Sequence, residues 1–221
     1  MNRHFDEEIN GLKERLLHMG SLVEKMIAAA VTALTDRRED PAREVNPAEE
    51  EVNRIQIEVD EICMKLLALH QPTAIDLRLI TSAMKINSDL ERMADQAVNI
   101  TETLAFYLKS PLVAPPQEIA VMSRIASGMV KDCLDAFVKS DPEAAKAVLK
   151  KDDEVDACKR EVFVKLVQEM TARPECVQAG LNLILISRNI ERIGDHATNI
   201  AEDVIYMVLG KDIRHHINDV R

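Results

Sequence analysis

The sequence predicts an all-α protein of six helices, arranged as two tandem, pseudo-symmetric three-helix bundles. Three observations carry that expectation. Hydrophobic residues make up 47% of the 221 positions while aromatics reach only 3% and glycines number 6, a balance that favours helices over strands. Prolines gather at a few points and leave long uninterrupted stretches of helical apolar spacing between them. The chain also repeats itself across its midpoint.

The elements follow in order, with boundaries good to about 2–4 residues. A first helix over 5–38 ends before the polar stretch around Pro41 and Pro47, and a second runs over 47–70. Pro72 in "HQPTAIDLR" separates it from a third over 74–109. Pro111, Pro115 and Pro116 in "SPLVAPPQE" form the strongest linker signal, after which a fourth helix spans 116–140. Asp141-Pro142 reads as an N-cap followed by a first-turn proline, opening a fifth over 142–172. Pro174 in "TARPE" precedes a sixth over 175–209. The units are therefore 1–110, 117–210 and a polar tail, 211–221. Short connections suit up-down-up bundles, and helices of this length leave surface for the two bundles to pack side by side.

The stretch "NIERIGDHATNIAED" places Glu191, Asp195, Asn199 and Glu202 on one helical stripe about 80° wide, opposite Ile190, Ile193, Ala197, Ile200 and Val204. "DLERMADQAVNITE" does the same 100 positions earlier, with Glu91, Asp95, Asn99 and Glu102. At an offset of 103 the second helix maps onto the fifth: Glu49 and Glu50 onto Asp152 and Asp153, Asn53 onto Asp156. Oxygen side chains one turn apart suit hard cations such as Mg, Mn, Ca or ferric iron, with further ligands from a neighbouring helix. Glu50 with Asn53, and Asp153 with Asp156, are the candidates, since each pair is spaced i,i+3. A solvated face, or a docking face for a basic partner, gives the same pattern. Ser88 stands where the second half has Arg188, so the two stripes should differ.

Other features exclude function classes. The net charge of −10 and the lack of a basic run with aromatics argue against nucleic acid as a partner. Cys63, Cys133, Cys158 and Cys176 form no Cys-x-x-Cys pair and read as structural thiols of a reduced, cytoplasmic protein. The N-terminus carries no signal-peptide pattern, and no apolar run approaches the ~20 residues of a membrane span. Phosphate-loop, nucleophile-elbow and zincin motifs are absent, and no Glu has a His three residues on, so no enzyme is expected. His196 reads as a partly packed histidine, and the His215–His216 pair as an improbable metal site. Asp76 and Arg78 read as a helix cap with a local ion pair.

"HQPTAIDLRLI", "DLERMADQAVNI" and "NIERIGDHATNIAEDVIYMVLG" together resemble the PhoU family over nearly the full length. Two E-x-x-x-D motifs in register, each followed by Asn-Ile, make the resemblance specific. It implies two three-helix bundles and a regulator of phosphate homeostasis. Such a protein would restrain the phosphate-specific ABC transporter through its ATPase subunit, and hold a phosphate-sensing histidine kinase in its inhibitory state. The resemblance also implies a homodimer, membrane association only through partners, and a surface metal centre. That centre would be multinuclear iron, or another metal such as Zn, Mn or Mg, held by Glu91, Asp95, Glu191 and Asp195. A metal-storage or metal-sensing bundle is the rival expectation.

Overall fold

The computed structural model describes residues 3–110 and 112–213. Among them lie six α-helices and two short 3-10 segments: α1 (Arg3–Asp36), α2 (Val45–His70), α3 (Ala74–Leu108), α4 (Gln117–Lys139), α5 (Pro142–Ala172) and α6 (Val177–Leu209). The 3-10 turns, Pro41–Glu44 and Pro174–Cys176, lead into α2 and α6 and were not foreseen from sequence. The second moves the start of α6 two residues later than expected.

The helix ends have local causes. Asp141 caps α5, its Oδ1 accepting from the backbone N–H groups of Glu143 and Ala144 at 3.0 Å, and Pro142 opens the first turn. α2 and α4 stop where Gln71 and Ser140 turn left-handed. Gly210 ends α6 at φ 66°, a conformation that costs a glycine nothing. Between the bundles, the buried Tyr107 at the end of α3 donates its hydroxyl to the Val113 carbonyl at 2.6 Å, tying down the linker.

Each bundle packs its own three helices around a stripe of aliphatic side chains, and the two stripes merge into one core. One stretch of α1 is long and apolar enough to cross a membrane by length and composition, contrary to the sequence expectation. Its apolar face (Leu12, Leu16, Met19, Val23, Ile27) is buried in this core, which accounts for the hydropathy.

The bundles meet through α3 against α6, the most extensive contact in the molecule, and through α1 against α4. At α1–α4 the approach is close: a Cβ added to Gly20 would stand 2.0 Å from Leu134 Cδ1. Along α3–α6 the polar contacts run antiparallel. Arg78 Nε donates to the Met207 carbonyl at 3.1 Å, Lys85 pairs with Asp203 at 2.7 Å, and Asp89 meets His196 at 2.8 Å. Arg78 thus ties α3 to the far end of α6 instead of forming the local ion pair expected. α2 and α5 lie outermost, each against its own bundle only.

Candidate functional site

In both bundles the E-x-x-x-D helix lies beside an outer helix that brings its own oxygen groups to the groove between them. On α6, Glu191 is half-buried and Asp195 exposed, with the apolar Ile190 and Ile193 held in the core. From α5, Asp152 and Asp156 face them. Asp152 lies over Gly194, where an added Cβ would stand 3.7 Å from Asp152 Oδ1. Burial, then the charges of Asp195 and Asp156, push the Asp152 carboxyl up to about 6. Asp195 keeps solvent contact, yet the groove walls desolvate it; burial first, then Glu191 and Asp156, raise its pKa. Lys159 answers this charge from α5, its ammonium donating to Glu191 Oε1 at 2.5 Å.

The first bundle repeats the arrangement with less charge. Glu91 is half-buried and Asp95 exposed. Burial, then Asp95, raise the Glu91 carboxyl, with a smaller push from Glu49 on α2. Asn53, in the place of Asp156, donates its amide to Glu49 Oε1 at 2.5 Å. His196 lies between the two grooves, on the Asp89 carboxylate at 2.8 Å.

Of the outer-helix residues expected from the sequence, Asp156 faces the groove, and Glu49 and Asp152 join it. Glu49 and Asp152 share the field of the E-x-x-x-D carboxylates, whereas Glu50 and Asp153 are exposed one residue further round. Asp152 was missed although its alignment with Glu49 was visible. Spacing on one helix shows which residues share a face, but the packing of α5 on α6 decides which face meets the groove. Asn199 and Asn99 are both exposed; Asn199 donates to Asp89 Oδ1 at 3.3 Å across the seam. His196 is partly packed as expected, with 12% of its side chain exposed. His215 and His216 lie outside the described residues.

The donor set is all oxygen, and its mutual repulsion is lowered by any cation that enters, so the residues fit a hard metal ion. As the side chains stand, no three His, Cys, Asp or Glu groups among the described residues converge closely enough to hold one. Binding would require displacement of the Lys159 ammonium and inward rotation of carboxylates that are already neighbours. All four cysteines are free, and burial pushes the Cys63 thiol up to about 12.

Comparison with known proteins supplies the lineage. The PhoU domain model matches twice, over residues 16–104 and 119–204. A Pseudomonas aeruginosa protein named phosphate-specific transport system accessory protein PhoU homolog is 38% identical over 217 residues, covering 97% of this chain and 89% of its own length. The Escherichia coli protein named phosphate-specific transport system accessory protein PhoU is 31% identical, covering 97% and 91%. The crystal structure of PhoU from Pseudomonas aeruginosa superposes with a TM-score of 0.88 at 37% identity, over 94% of this chain and all of that one. Matched in both repeats, in near-complete length and in three-dimensional fold, the chain belongs to the PhoU family.

Proposed function

We propose that this chain is a cytoplasmic regulator that restrains the phosphate-specific ABC transporter, and holds the phosphate-sensing histidine kinase inactive, by direct contact. One observation carries the reading: relatives named as accessory proteins of phosphate-specific transport align with it from end to end. A rigid helical platform suits such a role. It performs no reaction of its own but shifts a partner's equilibrium by binding one state better than another. The proposal includes a homodimer and contacts with the transporter's ATPase subunit.

The test is phosphate uptake by the purified transporter in proteoliposomes, with this chain supplied on the ATPase side. A slower uptake that follows the occupancy of the chain supports the role. Unchanged uptake despite demonstrated binding removes restraint of transport, and absence of binding removes the contact itself.

The raised Asp152, Asp195 and Glu91 carboxyls favour a metal centre in the same protein. Glu91 and Asp95, with Glu49, would hold a cation in the first groove. Glu191 and Asp195, with Asp152 and Asp156, would hold one in the second. Iron, Zn, Mn or Mg would serve to neutralise the groove and fix the two helices. Elemental analysis of untagged protein checks this. Metal retained by the wild type and lost in the variant Glu91→Ala, Asp95→Ala, Glu191→Ala, Asp195→Ala, with helicity preserved, supports it. Equal metal content in both sinks it.

A further inference from the structure

Beyond the acidic cluster the α5–α6 groove changes character. Phe163 and Val164 of α5 and Ile184 of α6 line a hollow of about 430 Å³, rimmed by Lys159, Arg160 and Arg188. Phe163 and Val164 are 53% and 52% exposed, a high value for such side chains. Val167 on α5 and Leu181 on α6 extend the apolar stripe at helical spacing, and both are exposed.

The other bundle shows that the fold does not require this surface. At the matching positions Asp60 and Glu61 replace Phe163 and Val164, Gln56 and Ile57 replace Lys159 and Arg160, and Ser88 replaces Arg188. Asn87, which corresponds to Ser187, closes the place by donating to Asp60 Oδ1 at 3.0 Å and to the Gln56 carbonyl at 2.9 Å. Ser187 instead turns its hydroxyl back to the Ile184 carbonyl of its own helix, leaving Lys159 with Glu191 as the α5–α6 bridge at the acidic end of the hollow.

We propose that this groove docks an amphipathic helix of a partner protein whose apolar stripe is flanked by acidic residues. The apolar floor accepts side chains at i, i+3, i+4 and i+7 of such a helix. The rim selects the charge. Three cations edge a groove on a chain of net charge −10, so the patch opposes the field of the molecule around it. Lys159 and Arg160 are shared with Glu191 and, at 3.8 Å, Asp156. Arg188 is exposed and makes no ion pair among the described residues. A second copy seated on this groove about a twofold axis fits less well, because the same cationic rim would face itself. The inference rests on the role by contact proposed above, and it is tested separately from it.

The test is fluorescence anisotropy of the full chain with a labelled, stapled helix bearing Leu at i, i+3, i+4 and i+7 and Glu on both flanks. The wild type should bind it with salt-sensitive affinity, and a Lys-flanked version at least about tenfold more weakly. Phe163→Asp and Arg188→Ser, which install the first bundle's residues at exposed positions, should each weaken binding by about tenfold with unchanged circular dichroism. Arg188→Glu serves as a second variant if Phe163→Asp does not fold. Equal binding of the two peptides, full affinity in the variants, or no binding overturns the proposal. So does a dimer in sedimentation velocity that Phe163→Asp dissociates, which gives the groove to a second copy. Binding of phosphatidylglycerol vesicles in preference to the peptide overturns it in favour of a lipid surface. If the peptide fails while the ATPase subunit is still captured, only the groove assignment falls.

Discussion

The two bundles share a backbone plan and differ in how they manage negative charge. The first groove joins Glu49, Glu91 and Asp95 to an amide, Asn53, which satisfies Glu49 directly. The second replaces that amide with Asp156, lifts Asp152 to about 6, and calls in Lys159 as a counter-ion. The Asn53–Asp156 and Gln56–Lys159 differences at matched positions thus separate a groove that relieves part of its charge through an amide from one that does so through an ammonium. Geometry repeated by duplication does not fix chemistry; side-chain charge within the geometry does.

Cutting the two halves apart should have the largest effect. Asp89 and His196 are 11% and 12% exposed and join α3 to α6. Asp89→Ala should cost about 2–4 kcal/mol in urea unfolding, because it strands His196 in the seam. A loss no larger than that of an exposed acid would mean the seam is held by apolar contact alone.

Making the halves alike comes next. Asp152→Asn with Asp156→Asn should weaken Mn²⁺ binding at the second groove by ~10–100-fold in calorimetric titration, leaving the first unchanged. Asn53→Asp should strengthen the first. Identical affinities before and after substitution would place the cation elsewhere.

The pH dependence of stability sharpens the contrast further. The Asp152 carboxyl rises from 3.8 to about 6 on folding, so the native chain holds this proton more tightly than the unfolded one. Its contribution is full below about pH 4 and is lost as pH rises through about 6. Solvent screening of this half-exposed group leaves roughly 1–2 kcal/mol of effect. Urea unfolding in chelator-treated buffer at pH 4.5 and 7.5 (about the two ends of this window) should show the loss in the wild type and a smaller one in Asp152→Asn. Asp195 and Glu91 act in the same direction.

The smallest effect is expected at Lys159. Lys159→Gln removes the ion pair with Glu191 and should lower metal-free stability at neutral pH by under ~1 kcal/mol, as partly exposed pairs do. The same change should tighten divalent-ion binding, since no ammonium then competes. A variant that binds Mn²⁺ more weakly would make Lys159 a support of the site instead of its competitor.

Much of this was legible in the sequence. The prolines and the apolar spacing located six helices, and the duplicated stripe located both grooves, because each depends on periodicity within one segment. What escaped depends on how segments meet. Asp152 lies beside Asp153 in the chain, and only the packing of α5 on α6 selects between them. Asn199 falls on the same stripe as Asp195, yet Asp89 of another helix claims it. The Phe163 groove was readable as a departure from the repeat, since Asp60 and Glu61 stand at the matching places, but one helix in isolation does not disclose a hollow between two.

The linker that Tyr107 fastens through Val113 has a consequence for ancestry as well as for shape. Two free copies of a single three-helix unit, paired through α3–α6-like contacts, would be bound by symmetry: any residue gained on one side appears on the other. Joined in one chain, the halves are released from that rule. One can keep an aspartate where its twin acquires a phenylalanine, and a symmetric pair becomes an object with two distinguishable ends.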